Sequence, residues 1–292
     1  GSRAWLRIQD GCDEHCTFCA TTVARGPNRS RPVKEIVREA GFLAQSHAEI
    51  VLTGIHIGTY RDDPDGTSLS GLVSTLVERV PDVRFRLSSV EATEIDEHLA
   101  YLLINAGERL ASHIHAPLQS GSDRVLRRMG RHWYTSDAYR ARIEWLAERL
   151  PVFGLGADVM VGFPGETDGD HRETVALVSD LPFTYLHVFP YSERPVASAS
   201  RIGPPVDPRT VAERSGELRR LAEGKKERYL KTRDGGEADV VMISRRGGRA
   251  EGVTEDFLTV SFDSDLGLGR RFAASVYLRS GDLVAEPATA LV

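Results

Sequence analysis

A chain of 292 residues with 41% hydrophobic side chains has enough apolar material for one large packed domain and a small second one. No run approaches the ~18 apolar residues of a membrane-spanning helix, and the Gly1-Ser2 start reads as a cloning remnant rather than a targeting segment, so the expectation is a cytoplasmic protein with no membrane partner. The formal net charge of −5 excludes nucleic-acid binding through overall positive charge, so any basic surface has to be local. From residue 5 to about 190, short apolar runs alternate with amphipathic stretches, which predicts strand–helix units around a parallel sheet. Strands are expected at residues 4–8, 49–53, 84–88, 113–117, 156–161 and 185–189. Between them, Ile36, Val37, Ala40 and Leu43 fall at helical spacing after Pro32, as do Leu69, Leu72, Val73, Leu76, Val77 and Val80, and then Tyr139, Ile143, Leu146 and Leu150. Six such units are too few for a full eight-fold barrel. An α/β fold built as an open or partial barrel follows, with its reactive loops at the C-terminal strand ends.

Pro204, Pro205 and Pro208 then punctuate the chain before a charged helix expected at residues 209–230. Arg209 to Arg233 carries nine Lys/Arg against four Glu and is the one basic segment, read from charge alone as a solvated helix face. Past Arg233 the pattern turns β-rich at 238–243, 258–262, 274–278 and 283–285, with Gly-rich turns between. This predicts four or five short antiparallel strands closing a small barrel that is not basic.

The chemistry concentrates in Cys12-x-x-x-Cys16-x-x-Cys19, which holds all three cysteines of the chain directly after the first apolar run. Thiolates are soft ligands for iron–sulfur clusters or zinc. A disulfide framework expects an even count in a small secreted chain, and structural zinc normally closes its tetrahedron with a fourth Cys or His. The local candidate, His15, adjoins Cys16 and is poorly placed to join it. The pattern therefore predicts a 4Fe–4S cluster, with zinc as the rival. Three thiolates on a tight loop leave one cluster iron without a protein ligand, and an open iron is a reaction site.

The spacing, with aromatic Phe18 before the last cysteine, resembles the loop signature of the radical S-adenosylmethionine (SAM) superfamily. The resemblance implies that Cys12, Cys16 and Cys19 are the metal-binding and catalytic residues and that SAM chelates the open iron. One electron passed to the sulfonium then releases a 5′-deoxyadenosyl radical. Phe18 and Arg25 join the cofactor site on this reading, Arg25 because a guanidinium forks onto a SAM carboxylate or a substrate phosphate, with ordinary surface charge as its rival role. In Thr53-Gly54-Ile55-His56-Ile57-Gly58, Thr53 and Gly54 occupy the place where the superfamily holds the SAM amino group, and a glycine lets backbone approach a ligand. Glu91 offers a carboxylate to a ribose or amine, with helix capping as its rival role. His113 and His115 share one strand face and read as hydrogen-bonded core groups, while Gln119 and Ser120 beyond them are candidates for polar contacts to SAM. Gly162, Phe163 and Pro164 form a bend whose backbone is suited to an adenine edge, with Thr167 capping the next helix.

Taken in order, Arg25-Gly26 with Arg29-Ser30-Arg31-Pro32, Pro117-Leu118-Gln119-Ser120-Gly121-Ser122, Gly162-Phe163-Pro164-Gly165-Glu166-Thr167 and His187-Val188-Phe189-Pro190-Tyr191-Ser192 resemble the methylthiotransferase family of radical SAM enzymes over nearly the whole chain. That implies a partial (β/α)6 radical SAM barrel at 1–207, a basic helical linker at 208–233 and a TRAM-like β-barrel that contacts RNA at 234–292. The implied partners are the tRNA anticodon loop, with Lys225, Lys226 and Arg228 as RNA-facing candidates, and an electron donor such as flavodoxin or ferredoxin. Thr53-Gly54-Ile55-His56-Ile57-Gly58 and Leu87-Ser88-Ser89-Val90-Glu91 look most like the branch that adds a methylthio group at C2 of N6-threonylcarbamoyladenosine-37 in tRNA. The alternatives are branches acting on a ribosomal-protein aspartate or on isopentenyladenosine-37, and, from another class, a non-catalytic tRNA-binding module with a structural cluster.

Family members carry an N-terminal domain with three further cysteines for a second 4Fe–4S cluster, which this sequence lacks. The expectation is a truncated piece of a longer enzyme that binds and cleaves SAM but performs little methylthiolation.

Overall fold

The computed structural model describes residues 2–62, 66–246, 249–263 and 267–288; Gly1 and the last four residues of the expected 234–292 span lie outside them. Strands form at β1 (Ala4–Arg7), β2 (Glu49–Thr53), β3 (Arg84–Leu87), β4 (His113–His115), β5 (Gly154–Val161) and β6 (Tyr185–Pro190). All pairings among them are parallel. β1–β2–β3 make one three-stranded sheet and β4–β5–β6 another. Single parallel bridges, Phe85 with Leu110 and Ser89 with His115, join the two across β3 and β4. The arc does not close, since β1 and β6 share no ladder among the described residues.

Alternation along the strands sorts side chains to two faces. Ala4 and Leu6 of β1 and Ile50 and Leu52 of β2 lie in one buried cluster with Ile36, Ala40, Leu72 and Leu76 from the outer helices, whereas Trp5, between them, is 63% exposed. Those helices are α1 (Thr21–Arg25), α2 (Val33–Ala44), α3 (Leu69–Arg79), α4 (Glu97–Asn105), α5 (Asp123–Arg128), α6 (Ser136–Ala147), α7 (Asp168–Asp180) and α8 (Pro208–Arg233). Side-chain caps start several of them: Ser68 accepts from Gly71 N, Thr135 from Ala138 N and, as expected, Thr167 from Asp170 N. Among the described residues, no helix is long and apolar enough to cross a membrane.

The C-terminal part is a closed five-stranded barrel of β7 (Gly236–Arg246), β8 (Arg249–Val253), β9 (Thr259–Phe262), β10 (Arg271–Arg279) and β11 (Asp282–Pro287), in the order β7-β8-β9-β11-β10. It departs from expectation twice. β8 carried no apolar run, because Gly252 and charged Arg249 and Glu251 interrupt it; a Cβ at Gly252 would sit 2.3 Å from Val240. The strands are also not all antiparallel, since β9 and β11 pair in parallel, Val260 beside Leu283, which is how the last strand closes the ring.

The two parts meet on buried charge. Glu49, fully buried, takes Arg84 Nε at 2.6 Å and Arg86 Nε and Nη2 at 3.1 and 3.0 Å. Burial works against its carboxylate, but the surrounding arginines hold its pKa far below the usual range. The same guanidinia reach into the small barrel, Arg84 to Val253 O (3.2 Å) and Asp239 Oδ2 (2.8 Å) and Arg86 to Thr254 O (2.7 Å) and Glu255 O (3.0 Å). At β5 the contact is backbone-close: a Cβ on Gly154 would lie 2.1 Å from Asp256 O.

Candidate metal centre

After β1, Gln9 and Asp10 pair with Ser30 and Arg29, and Gly11 turns the chain with φ +73° into the cysteine loop. Cys12 N donates to Gly26 O (3.1 Å) and Cys19 N to Cys16 O (3.0 Å), while Thr17 is pinned through N and Oγ1 to Met129 O and Arg128 O, both 2.9 Å. Backbone N–H groups point at sulfur: Glu14 N lies 3.4 Å from Cys12 Sγ and Thr21 N 3.4 Å from Cys19 Sγ. All three thiols line a single cavity of about 240 Å³ at the C-terminal ends of β1 to β4.

Two cations bracket the loop. His56 places Nδ1 3.8 Å from Cys12 Sγ and Nε2 2.7 Å from Glu94 Oε1. Burial disfavours its imidazolium, yet the Cys12 sulfur and the Glu94 carboxylate outweigh this and push its pKa up to about 10. Arg131 sits on the other side, with Nη1 3.8 Å from Cys16 Sγ, Nη2 on Glu91 Oε1, Nε 3.0 Å from Tyr134 OH, and its guanidinium 4.8 Å from the Trp133 ring centroid. Burial pushes the Cys16 thiol up to about 11 against the pull of Arg131. Burial likewise raises Glu91, with Arg131 opposing.

Glu91 and Gln119 both line the cavity, and each keeps one buried side-chain oxygen, Glu91 Oε2 and Gln119 Oε1, without a partner. Gln119 is held in the left-handed region at φ +60°, a conformation kept where a site over-determines it. A donor set of three thiols fits a cluster with one open iron, and unpaired buried acceptors beside it fit the amino and hydroxyl donors of a ligand such as SAM.

The expected site residues separate into groups. Cys12, Cys16, Cys19, Phe18, Glu91 and Gln119 line the cavity. Thr53 and Gly54 are not in the lining but lead into Ile55 and His56, which are; a Cβ on Gly54 would meet Ile57 at 2.7 Å and Gln9 O and Oε1 at 2.8 Å. Arg25 does not reach the cysteines; it is exposed beside Asp10, 3.8 Å away. Ser120 is fully buried with Oγ 3.3 Å from Thr174 Oγ1, spent on joining its loop to α7. Gly162, Phe163 and Pro164 are not in the cavity lining either: Gly162 N donates to Glu166 Oε2 (2.8 Å), Phe163 packs edge-on to Tyr191, and Pro164 O accepts from Arg128 (3.2 Å). Lys225 is buried and donates to Ser179 O (2.7 Å) and Leu181 O (2.6 Å), capping the C-terminal end of α7, whereas Lys226 and Arg228 stand exposed.

Sequence reasoning missed Gln9, His56 and Arg131. Gln9 is a buried amide whose Oε1 accepts from Ile55 N and His56 N, both 2.9 Å, and whose Nε2 donates to Gly11 O (2.7 Å), so one side chain fixes both cavity loops. Arg131 stood within Arg131-His132-Trp133-Tyr134, a cation beside two aromatics, which was the available signal. Below the cavity, the histidines of β4 and β6 join a polar chain. His115 Nε2 and His187 Nδ1 each lie 3.2 Å from Asp158 Oδ1, and Tyr185 OH bridges His115 Nδ1 (3.0 Å) and His113 Nε2 (2.9 Å).

The profile of the Radical SAM superfamily matches residues 6–178. The chain is 36% identical over 244 residues to the threonylcarbamoyladenosine tRNA methylthiotransferase MtaB of Aquifex aeolicus (strain VF5), covering 83% of this chain and 59% of that protein. It is 41% identical over 224 residues to the protein of that name from Bacillus subtilis (strain 168), covering 76% and 49%. To the tRNA-2-methylthio-N(6)-dimethylallyladenosine synthase of Sorangium cellulosum (strain So ce56) it is 35% identical over 268 residues, covering 85% and 53%. The chain thus spans about half of the lengths of these relatives. Among solved structures, coproporphyrinogen III oxidase (HemN) from Escherichia coli superposes with a TM-score of 0.56 at 16% identity, over 76% of this chain and 52% of that one. The radical SAM methyltransferase TsrM from Kitasatospora setae gives 0.54 at 19% identity, over 64% and 34%. These two likenesses carry the fold.

Proposed function

Because this chain belongs to the radical SAM superfamily, we propose that it is the catalytic core and RNA-contacting barrel of a tRNA methylthiotransferase acting at C2 of N6-threonylcarbamoyladenosine-37. The observation that carries the reading is the convergence of the chain's only three thiols on one cavity beside the unpaired oxygens of Glu91 and Gln119. Its likeness to relatives named for that nucleoside supports the choice of substrate. We read residues 1–207 as a partial (β/α)6 radical SAM barrel, 208–233 as a basic linker helix and 234–292 as a TRAM-like barrel, working in the cytoplasm.

When bound, a 4Fe–4S cluster with SAM supplies one-electron cleavage of the sulfonium. Cys12, Cys16 and Cys19 hold the cluster. Arg131 balances the thiolate charge at Cys16 and fixes Glu91, whose free oxygen, with that of Gln119, orients the amino and hydroxyl groups of SAM. Gln9 keeps the cysteine loop and the Thr53-Gly54 loop in register. Trp133 and Phe18 exclude water beside the sulfurs. Lys226 and Arg228 meet tRNA phosphates, and the unstacked anticodon-loop base reaches the cavity from the open side between β1 and β6. A flavodoxin- or ferredoxin-type donor supplies the electron. A second cluster requires thiolates from outside these 292 residues, because the three present are committed.

The test is anaerobic reconstitution with iron, sulfide, dithionite and SAM. 5′-Deoxyadenosine should form, and Cys12→Ala, Cys16→Ala or Cys19→Ala should each abolish it. Stoichiometric zinc and no SAM cleavage would sink the reading. For the substrate, tRNA from cells lacking the gene should lose the methylthio group on threonylcarbamoyladenosine, and an unchanged nucleoside profile would exclude it.

A further inference from the structure

A second cavity of about 310 Å³ lies inside the arc, toward the N-terminal strand ends, and adjoins the cysteine cavity through shared walls at Ser89 and Asp158. Its sides are largely apolar and aromatic, with Trp5, Val51 and Tyr185 from the arc and Phe257 from the small barrel. Phe257 is held at φ +68°, costly for a bulky residue, and its ring lies 4.6 Å from that of His113. The Arg86 guanidinium lies 5.3 Å from its centroid and the Tyr185 ring 5.6 Å away, so the partly exposed remainder of the ring offers an apolar edge for a planar group to pack against.

The charge in this cavity is unbalanced. Three guanidinia converge on Glu49, but Arg84 also has Asp239 and Arg86 completes its donors on the Thr254 and Glu255 carbonyls. Arg3 has only a share: its Nη1 is 3.1 Å from Glu49 Oε1, and its Nε and Nη2 have no acceptor among the described residues. Its guanidinium is 5.8 Å from the Trp5 ring centroid and lines the cavity at the side where the arc is open. The one carboxylate in the lining, Asp158, is already met by His115 and His187. The cavity therefore offers an unfilled bidentate carboxylate receptor framed by aromatic rings.

We propose that this second cavity receives the N6 substituent of the target purine, that Arg3 binds a carboxylate at its far end, and that Phe257 and Tyr185 pack its planar ureide. The proposal rests on the reading above and deepens it. Relatives are named for two kinds of N6 group, an acidic threonylcarbamoyl and a hydrocarbon dimethylallyl. A hydrocarbon in this space leaves the Arg3 fork dry and unpaired, and a site built for a hydrogen-bonding group rejects the analogue that lacks it.

The experiment is equilibrium dialysis of the anaerobically reconstituted chain with N6-threonylcarbamoyladenosine, its methyl ester and N6-dimethylallyladenosine. The free acid should bind roughly tenfold or more tightly than either of the others, as for loss of one charged hydrogen bond. Arg3→Met should erase the preference, Arg3→Lys should retain part of it, and neither should change binding of the ester. Phe257→Ala should weaken the acid and the ester alike. Equal affinity for acid and ester in the unaltered chain overturns the proposal without any variant, and so does an undiminished preference in Arg3→Met. The wider reading fails differently: a longer enzyme that leaves threonylcarbamoyl tRNA unmethylthiolated while the acid preference stands refutes the activity and not the pocket.

Discussion

The Arg131 guanidinium lies 3.8 Å from Cys16 Sγ while pairing with Glu91, so one cation serves both a cysteine of the loop and the carboxylate beside it. It comes from a segment over a hundred residues away in sequence, and it packs against the rings of Trp133 and Tyr134.

Arg131→Met keeps the packing and strips the charge, leaving Glu91 buried without its partner. Breaking a buried pair in this way costs about 3 kcal/mol or more. Thermal unfolding should fall by several degrees, and SAM cleavage should drop further than the stability loss explains. Arg131→Lys should recover part of the stability but less of the cleavage, since a point charge cannot hold Glu91 and Tyr134 together.

Gly54→Ala forces a methyl to within 2.8 Å of Gln9 Oε1, the atom that accepts from Ile55 N and His56 N. Overpacking of this kind costs roughly 1–3 kcal/mol. The expected outcome is a raised KM for SAM with normal iron content, because Ile55 and His56 of the displaced loop line the cavity while the loop carries no sulfur.

Asp170 accepts from Ser122 Oγ, Thr167 N and Arg124. Burial opposes its charge, but Arg124, Thr167 and Ser122 outweigh it and hold its pKa well below the ordinary 3.8. A carboxyl lowered on folding contributes stability that is complete above its unfolded value and lost as pH falls through the folded one. Urea midpoints should therefore show Asp170→Asn much weaker than the parent at pH 6, with the gap narrowing below about pH 4. A gap that is constant with pH would contradict this.

Lys226→Glu with Arg228→Glu should weaken tRNA retention and flatten its salt dependence by about one unit of slope per contact. Lys225→Met is expected to act otherwise, lowering the melting temperature through the lost cap on α7 with the salt slope unchanged. Equal slopes for all three would remove the basic face of α8 from the interface.

The elements most legible in the sequence were those set by local pattern. Buried parallel strands read as short apolar runs, and Ile50 and Leu52 or Ile114 and Val159 announced themselves that way, although the fifth strand starts two residues earlier than expected, at Gly154. Three thiols on one loop were equally plain. β8 was not, since its apolar residues alternate with charge around Gly252. Within the site, Arg131 and Gln9 were hidden because their importance comes from convergence across distant loops, which no spacing encodes. Gly162, Phe163 and Pro164 showed the opposite problem. Their sequence resembles a ligand-facing bend, but Arg128 and Val211 fill the space around it.

The Arg84 and Arg86 side chains end on carbonyls of the small barrel, and Gly154 is pressed against Asp256. A chain cut after α8 would strand two guanidinia at a seam with nothing to receive them. The strand–helix arc and the small barrel should accordingly melt together in one cooperative transition. Swapping barrels between homologues should fail unless the Thr254 to Phe257 turn travels with its matching arginines.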